Sequence, residues 1–159
     1  MFNNFLTAEG TYRTIMVTNN NEVIVKEAFK AVDEKDVMRM DVKKKYQLVT
    51  ILKVGKDKFA QCAKGPTVDW YNLNLCKQIL SLDNNDSVRV LPVAGEAYFK
   101  VVDGEEVFAY IYDSAGNLIA KEKHPTKIDV IFSASGPCLQ KTDSKGAKKL
   151  YTFEGHLVG

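Results

Sequence analysis

Apolar and polar positions alternate along most of this chain, most densely from Ala97 to Lys121 (AYFKVVDGEEVFAYIYDSAGNLIAK), which predicts three antiparallel strands joined by two turns. Asp103-Gly104 is a two-residue hairpin signal of type I′, and Asp113 to Asn117 fits a type I turn closed by a left-handed Gly116. With Asp103 and Gly104 as the loop, Val102 should pair with Glu105, Phe99 with Phe108 and Ala97 with Tyr110. Phe99, Val101, Phe108, Tyr110 and Tyr112 then share one face, and Tyr98, Val102, Val107, Ala109 and Ile111 the other. Both faces are largely apolar, so the sheet should have a partner on each side.

The rest of the chain also reads mostly as strands. Thr11–Val17 and Glu22–Val25 flank the turn Asn19-Asn20-Asn21 and form an expected hairpin. Val25, Ala28, Phe29 and Val32 have helical spacing, although a strand could continue past Glu27. Met38, Met40 and Val42 alternate with charged residues, Tyr46, Leu48, Thr50 and Leu52 alternate again, and Gly55 to Lys58 turns the chain into Phe59–Ala63. One amphipathic helix is expected over Trp70–Leu82, where Leu73, Cys76 and Leu80 recur with Leu75, Ile79 and Leu82 at three- and four-residue spacing. Ser87–Val93, with Pro92 marking an edge or bulge, Lys127–Ser133 and Leu150–Leu157 complete the strands, and Gly136–Lys149 is expected to be a mobile loop. The predicted fold is mainly β, an antiparallel β-sandwich or small β-barrel with one α-helix.

Composition narrows this picture. A chain of 159 residues, 45% hydrophobic and 26% charged, has the size and character of a single globular domain over residues 1–159. A formal net charge of +2 gives no global field toward nucleic acid or an anionic membrane, and arginine stands only at positions 13, 39 and 89. The N-terminus MFNNFLTAEG lacks an export pattern, no run approaches the ~18 apolar residues of a membrane helix, and Cys62, Cys76 and Cys138 give no disulfide framework. A soluble protein made in the cytosol is expected, with no membrane partner.

Candidate chemistry is sparse. Cys138 in its loop, with His156 or His124 as base, would make a nucleophilic pair, but no flanking motif accompanies it. No spacing suits a metal, Asp83 to Asp86 lacks the glycine and glutamate of a calcium loop, and Lys141–Lys149 lacks phosphate-loop spacing. Glu105-Glu106 sits beside a turn as a solvated pair. No catalytic residue, cofactor or metal is therefore assigned. The octapeptide YDSAGNLI, Tyr112 to Ile119, resembles one unit of the YD repeats of large secreted toxins; it occurs once, turn geometry accounts for it, and no function is carried over.

What remains is surface. Tyr98, Phe99, Phe108, Tyr110 and Tyr112 are candidate interface residues, and Lys43, Lys44, Lys45, Lys121, Lys123 and Lys127 a candidate basic rim, extended by Lys141, Lys145, Lys148 and Lys149. The expectation is a non-enzymatic structural or adaptor subunit, a homo-oligomer or a partner of other protein subunits. By compositional analogy it would be a bacteriophage virion component, such as a capsid decoration or head-tail protein. A barrel that stacks single-stranded nucleic acid on those aromatics is one alternative, less favoured because acidic residues interleave the lysines. A phage-encoded inhibitor or other host-interaction protein is another.

Overall fold

In a computed structural model, residues 5–6, 12–28 and 41–158 are described. The predicted strands at Met38 and Met40 and the helical spacing beyond Ala28 lie outside them. The chain divides into two compact units, Met1–Lys53 with Asp57–Leu82, and Val54–Lys56 with Asp83–Gly159.

The first unit carries an antiparallel meander in chain order: β1 (Phe5–Leu6), β2 (Tyr12–Val17), β3 (Glu22–Ala28), β4 (Asp41–Val54), β5 (Asp57–Lys64), β6 (Thr67–Asn72) and β7 (Lys77–Asp83). As expected, β2 and β3 form a hairpin, and β3 runs on to Ala28 as a strand. The face made by Val23, Val25, Tyr46, Ala60, Cys62 and Tyr71 is buried, with Ile15, Leu48 and Leu73 packed against it.

Among the described residues there is no helix, and the one expected over Trp70–Leu82 is instead the β6–β7 hairpin. Two local features break the helix. The Asn72 side chain accepts the backbone N–H groups of Asn74 and Leu75, an Asx turn that competes with helical bonding, and Cys76 sits at φ 51, outside the right-handed region. Asn74 Oδ1 further accepts Lys58 N, and Leu73 N donates to the Lys58 carbonyl, tying the turn to β5. The three- and four-residue spacing is distributed over a turn: Cys76 is buried, while Leu75 is exposed.

The second unit holds two antiparallel sheets. In the first the order is β11 (Leu118–Lys123), β10 (Phe108–Tyr112), β9 (Glu96–Val102), β8 (Ser87–Val93); in the second it is β12 (Lys127–Ser133), β13 (Gly136–Thr142), β14 (Lys148–Tyr151). Pro92 lies on the edge strand β8, where a missing N–H costs no ladder bond. The predicted mobile loop over Gly136–Lys149 is corrected: β13 is the middle strand of its sheet, and only Asp143 to Ala147 turns. The closing strand is likewise shorter than expected, since Thr152 to His156 forms a turn and Leu157 returns to Tyr151 as an isolated bridge.

All three strands expected from Ala97 to Lys121 form, but the register between the first two differs. Val102 pairs with Ala109, Val101 with Tyr110 and Phe99 with Tyr112, a slide of four residues from the predicted pairing. Because the slide is even, every side chain keeps its predicted face. The cause lies in the loop. Asp103 accepts Val107 N and Phe108 N through its carboxylate, the left-handed residue is Glu106 at φ 58, and Val107 joins the loop. Gly104 answers a different need, since a Cβ there would meet Asn85 Cβ at 3.0 Å.

A two-residue loop with both central residues left-handed exists one hairpin earlier, at Ala94 (φ 54) and Gly95 (φ 80) between β8 and β9. Alanine is a poor choice there, whereas asparagine tolerates the left-handed region. Ala94→Asn is expected to stabilise the protein by about 0.5–1 kcal/mol in denaturant melts. No gain would mean that the turn relaxes away from this geometry.

The inner faces of the two sheets make one core. Leu91, Val93, Tyr98 and Ile111 pack with Ile128, Val130 and Leu139, and the Tyr98 and Phe153 rings meet edge to face at 5.6 Å. On the opposite face Phe99 and Val101 are buried too, so both faces of the β9 meander are covered there, as the two-faced apolar pattern implies.

Candidate interaction surface

Strand β10 lies between β9 and β11, so its backbone is bonded on both sides, with a shift of register against β11 between Ile111 and Tyr112. Residues two apart on such a strand project to one face at a repeat of ~6.6 Å. Phe108, Tyr110 and Tyr112 accordingly form a ladder with ring centroids 6.4 and 6.3 Å apart, the Tyr110 and Tyr112 rings nearly parallel at 27°. All three rings are half-buried. From β11, Lys121 pairs with Tyr110 and places Nζ 4.3 Å from the Phe108 centroid and 5.5 Å from that of Tyr110. This cation–π contact pins a long side chain across two rungs. Lys123 pairs with Phe108 on the same face. Burial, with Tyr110 beside it, pushes the Tyr112 phenol above its ordinary pKa, so its hydroxyl stays a neutral donor and acceptor.

The sequence candidates separate. Phe108, Tyr110 and Tyr112 come together with Lys121 and Lys123. Tyr98 points into the core on the other face, and Phe99 is fully buried at 0% exposure. Lys127 lines a pocket beyond Phe108. Lys43, Lys44 and Lys45 are exposed on β4 in the first unit, where Lys44 Nζ donates to Gln78 Oε1 at 2.9 Å and Lys45 pairs with Glu22 at 2.9 Å. Of the extended rim, Lys141 pairs with Glu122 at 2.7 Å and lies over the Tyr151 ring. Cys138 is not in a loop but in β13, buried at 3% exposure, so the proposed nucleophilic pair loses the accessible thiol it required. All three cysteines are free and buried. Among the described residues no group of three or more His, Cys, Asp or Glu side chains could hold a metal ion.

A polar cluster in the first unit escaped the sequence reading. The Tyr46 hydroxyl donates to Asp69 Oδ2 at 2.6 Å and lies 2.9 Å from the Tyr71 hydroxyl, which in turn is 3.1 Å from Gln78 Oε1. Asp69 is buried, and its Oδ1 has no hydrogen-bond partner among the described residues. The signal was present in the alternation of Asp69 and Tyr71, but the helical spacing read from Trp70 onward masked it.

These groups set an alkaline limit. Burial, then the Asp69 charge, pushes the Cys62 thiol from 9.0 up to about 12; burial raises Cys76 to about 11 against the opposing pull of Arg13. Burial lifts Tyr71 from 10.0 to about 12, and burial with the bond to Asp69 lifts Tyr46 further still. Each raised folded-state pKa gives stability that is full below the unfolded value and lost as pH climbs toward the folded one. Urea melts are therefore expected to show stability falling from about pH 9, each group adding up to about 1.4 kcal/mol per pH unit once it ionises in the unfolded chain. A flat profile to pH 11 would contradict the burial of these groups.

No protein-family model matches this chain, and neither does any curated protein. Among solved structures it is similar to a protein of unknown function from Bacteroides caccae, at 8% identity and TM-score 0.34 over 91% of this chain and 55% of that one. It is also similar to BBS1N, solved in complex with ARL6DN, at 7% identity and TM-score 0.33 over 99% and 66%. Hsv2 of Kluyvelomyces marxianus matches at 8% identity and TM-score 0.25 over 94% and 58%. The chain thus spans between 55% and 66% of these proteins' lengths, and likeness at this level carries no argument for function.

Proposed function

We propose that the protein works by contact, as a non-enzymatic structural or adaptor subunit that binds other protein subunits, copies of itself included. The observation that carries this reading is the half-buried aromatic ladder of Phe108, Tyr110 and Tyr112 crossed by Lys121. Aromatic residues are what protein interfaces concentrate. Base stacking asks for something else, an open ring face on which a base lies flat. Here Lys121 lies over Phe108 and Tyr110, and Tyr110 and Tyr112 stack on each other, which supports protein contact over a nucleic-acid platform. A bacteriophage particle is the setting we propose for such a subunit, on composition alone.

Size-exclusion chromatography with light scattering on the full chain tests the proposal. Wild type at high micromolar concentration is expected to run above monomer mass or to bind its partner, and Tyr110→Lys to lose assembly while keeping the wild-type melting profile. Single-stranded DNA at 150 mM salt is expected to bind no tighter than about 10 μM. A monomeric wild type with Tyr110→Lys simply unfolded makes the ladder core, and sub-micromolar DNA binding with a steep salt slope makes nucleic acid the ligand.

A further inference from the structure

Beyond Phe108, the first rung of the ladder, the second unit contains a pocket of about 290 Å³, near the lower end of the ~300–1,000 Å³ typical of small-molecule sites. Two chain segments frame it. One is the loop from Asp103 to Val107, braced by the Asp103 carboxylate; the other is the β11–β12 connection around His124. His124 N donates to the Val107 carbonyl at 2.8 Å and joins the two, so the pocket is preformed.

We infer that this pocket binds a small amphipathic monocarboxylate, an aromatic or short aliphatic acid. Its wall is apolar along Val102, Val107, Phe108 and Ala109, which suits a hydrocarbon body. Its charged wall is Lys100, whose side chain is only 17% exposed and whose ammonium is 3.3 Å from Asp129 Oδ1. An ammonium has three donors, and Asp129 takes one through a contact longer than the ~2.7–2.9 Å of a tight charge-assisted bond. Lys100 therefore keeps donors for a second carboxylate without giving up the first. Lys127 and His124 stand at the rim, with Thr126 as a further hydroxyl.

The same residues argue against other anions. A phosphate site would call for a guanidinium fork or a cradle of backbone amides, and among the lining residues there is no arginine and no glycine. The Glu106 carboxylate at the rim opposes a second negative charge on the ligand. One largely buried ammonium with a single donor engaged, beside an apolar wall, is matched by one carboxylate on a small apolar body.

The test uses the full chain with benzoate and hexanoate as probes, and benzyl alcohol and hexanol as neutral controls of the same shape. Binding is followed by amide chemical shifts and by calorimetry. The acids are expected to bind at least tenfold tighter than their alcohols, with shifts centred on Val107, Phe108, Ala109 and His124. Lys100→Met keeps the aliphatic stem and removes the charge, and is expected to cost benzoate about tenfold while leaving benzyl alcohol unchanged. Should that variant unfold, Lys127→Gln, at an exposed position on the rim, is expected to weaken benzoate about threefold. Val107→Trp, which fills the pocket, should abolish both. Equal affinity for acid and alcohol, shifts away from the pocket, or displacement of benzoate by equimolar inorganic phosphate would each overturn the assignment.

Discussion

Tyr46→Phe is expected to destabilise the protein by about 2–4 kcal/mol, far more than the loss of one hydroxyl from a surface tyrosine. The size follows from what the hydroxyl holds. Asp69 is buried at 5% exposure, its Oδ1 has no partner among the described residues, and its Oδ2 takes the Tyr46 proton at 2.6 Å. Removing that donor leaves both oxygens of a buried carboxylate without hydrogen bonds, which is costlier than deleting a bond between two neutral groups. Tyr71→Phe is the control. The Tyr71 hydroxyl has a single proton to share between Tyr46 and Gln78 and does not touch Asp69, so its loss is expected to cost about 1 kcal/mol. Denaturant melts of the two variants read the difference, and equal costs would mean that water or a shifted side chain already serves Asp69.

The legible parts of this fold were those where one residue type has one geometric use. The five residues DSAGN at Asp113 to Asn117 announced a turn, and in the structure Asp113 Oδ1 accepts Ala115 N and Asn117 N, with Gly116 at φ 85. The same device recurs at DSKGA, Asp143 to Ala147, with Asp143 Oδ1 accepting Lys145 N and Ala147 N and Gly146 at φ 87. Read alike, it would have split the expected loop into β13 and β14. Thr18 and Thr152 repeat it with a hydroxyl in place of the carboxylate, closed by Asn21 at φ 60 and Gly155 at φ 93. What the pattern could not separate was a helix from a hairpin over Trp70–Leu82, because apolar residues on both sides of a tight turn mimic a helical stripe when the turn itself contains Leu73 and Leu75.

The candidate surface was legible in face and not in register. Parity places Phe108, Tyr110 and Tyr112 together whichever even slide the hairpin adopts, so the ladder followed from alternation alone. Phe99 pairs with Tyr112 on the ladder's own face, yet it is fully buried while the three ladder rings are half-buried, and alternation alone says nothing about how cover varies along one face. The pocket depends on contacts between the Val107 and His124 segments, which are far apart in sequence, and no local signal marks it.

Gly55→Ala is expected to destabilise the protein by about 3–5 kcal/mol, far more than the same change at Gly65. Gly55 occupies the first position of the β4–β5 turn at φ 58, and Gly65 holds the corresponding position of the β5–β6 turn at the same φ of 58. In both, an alanine carries the left-handed penalty of about 1–2 kcal/mol. The surroundings differ. A Cβ on Gly65 would meet nothing within 4 Å, whereas one on Gly55 would fall 2.1 Å from the Gly95 carbonyl oxygen. That oxygen belongs to the backbone of the tight Ala94-Gly95 turn and has no rotamer by which to escape, so the two turns must separate. Gly65→Ala is therefore expected to cost only the conformational term, and the excess for Gly55→Ala measures the close approach. Thermal or urea melts of the two variants decide it: equal losses would show that the hairpin tip moves off the Ala94-Gly95 turn at no cost, and that the contact is not part of what holds the second unit together.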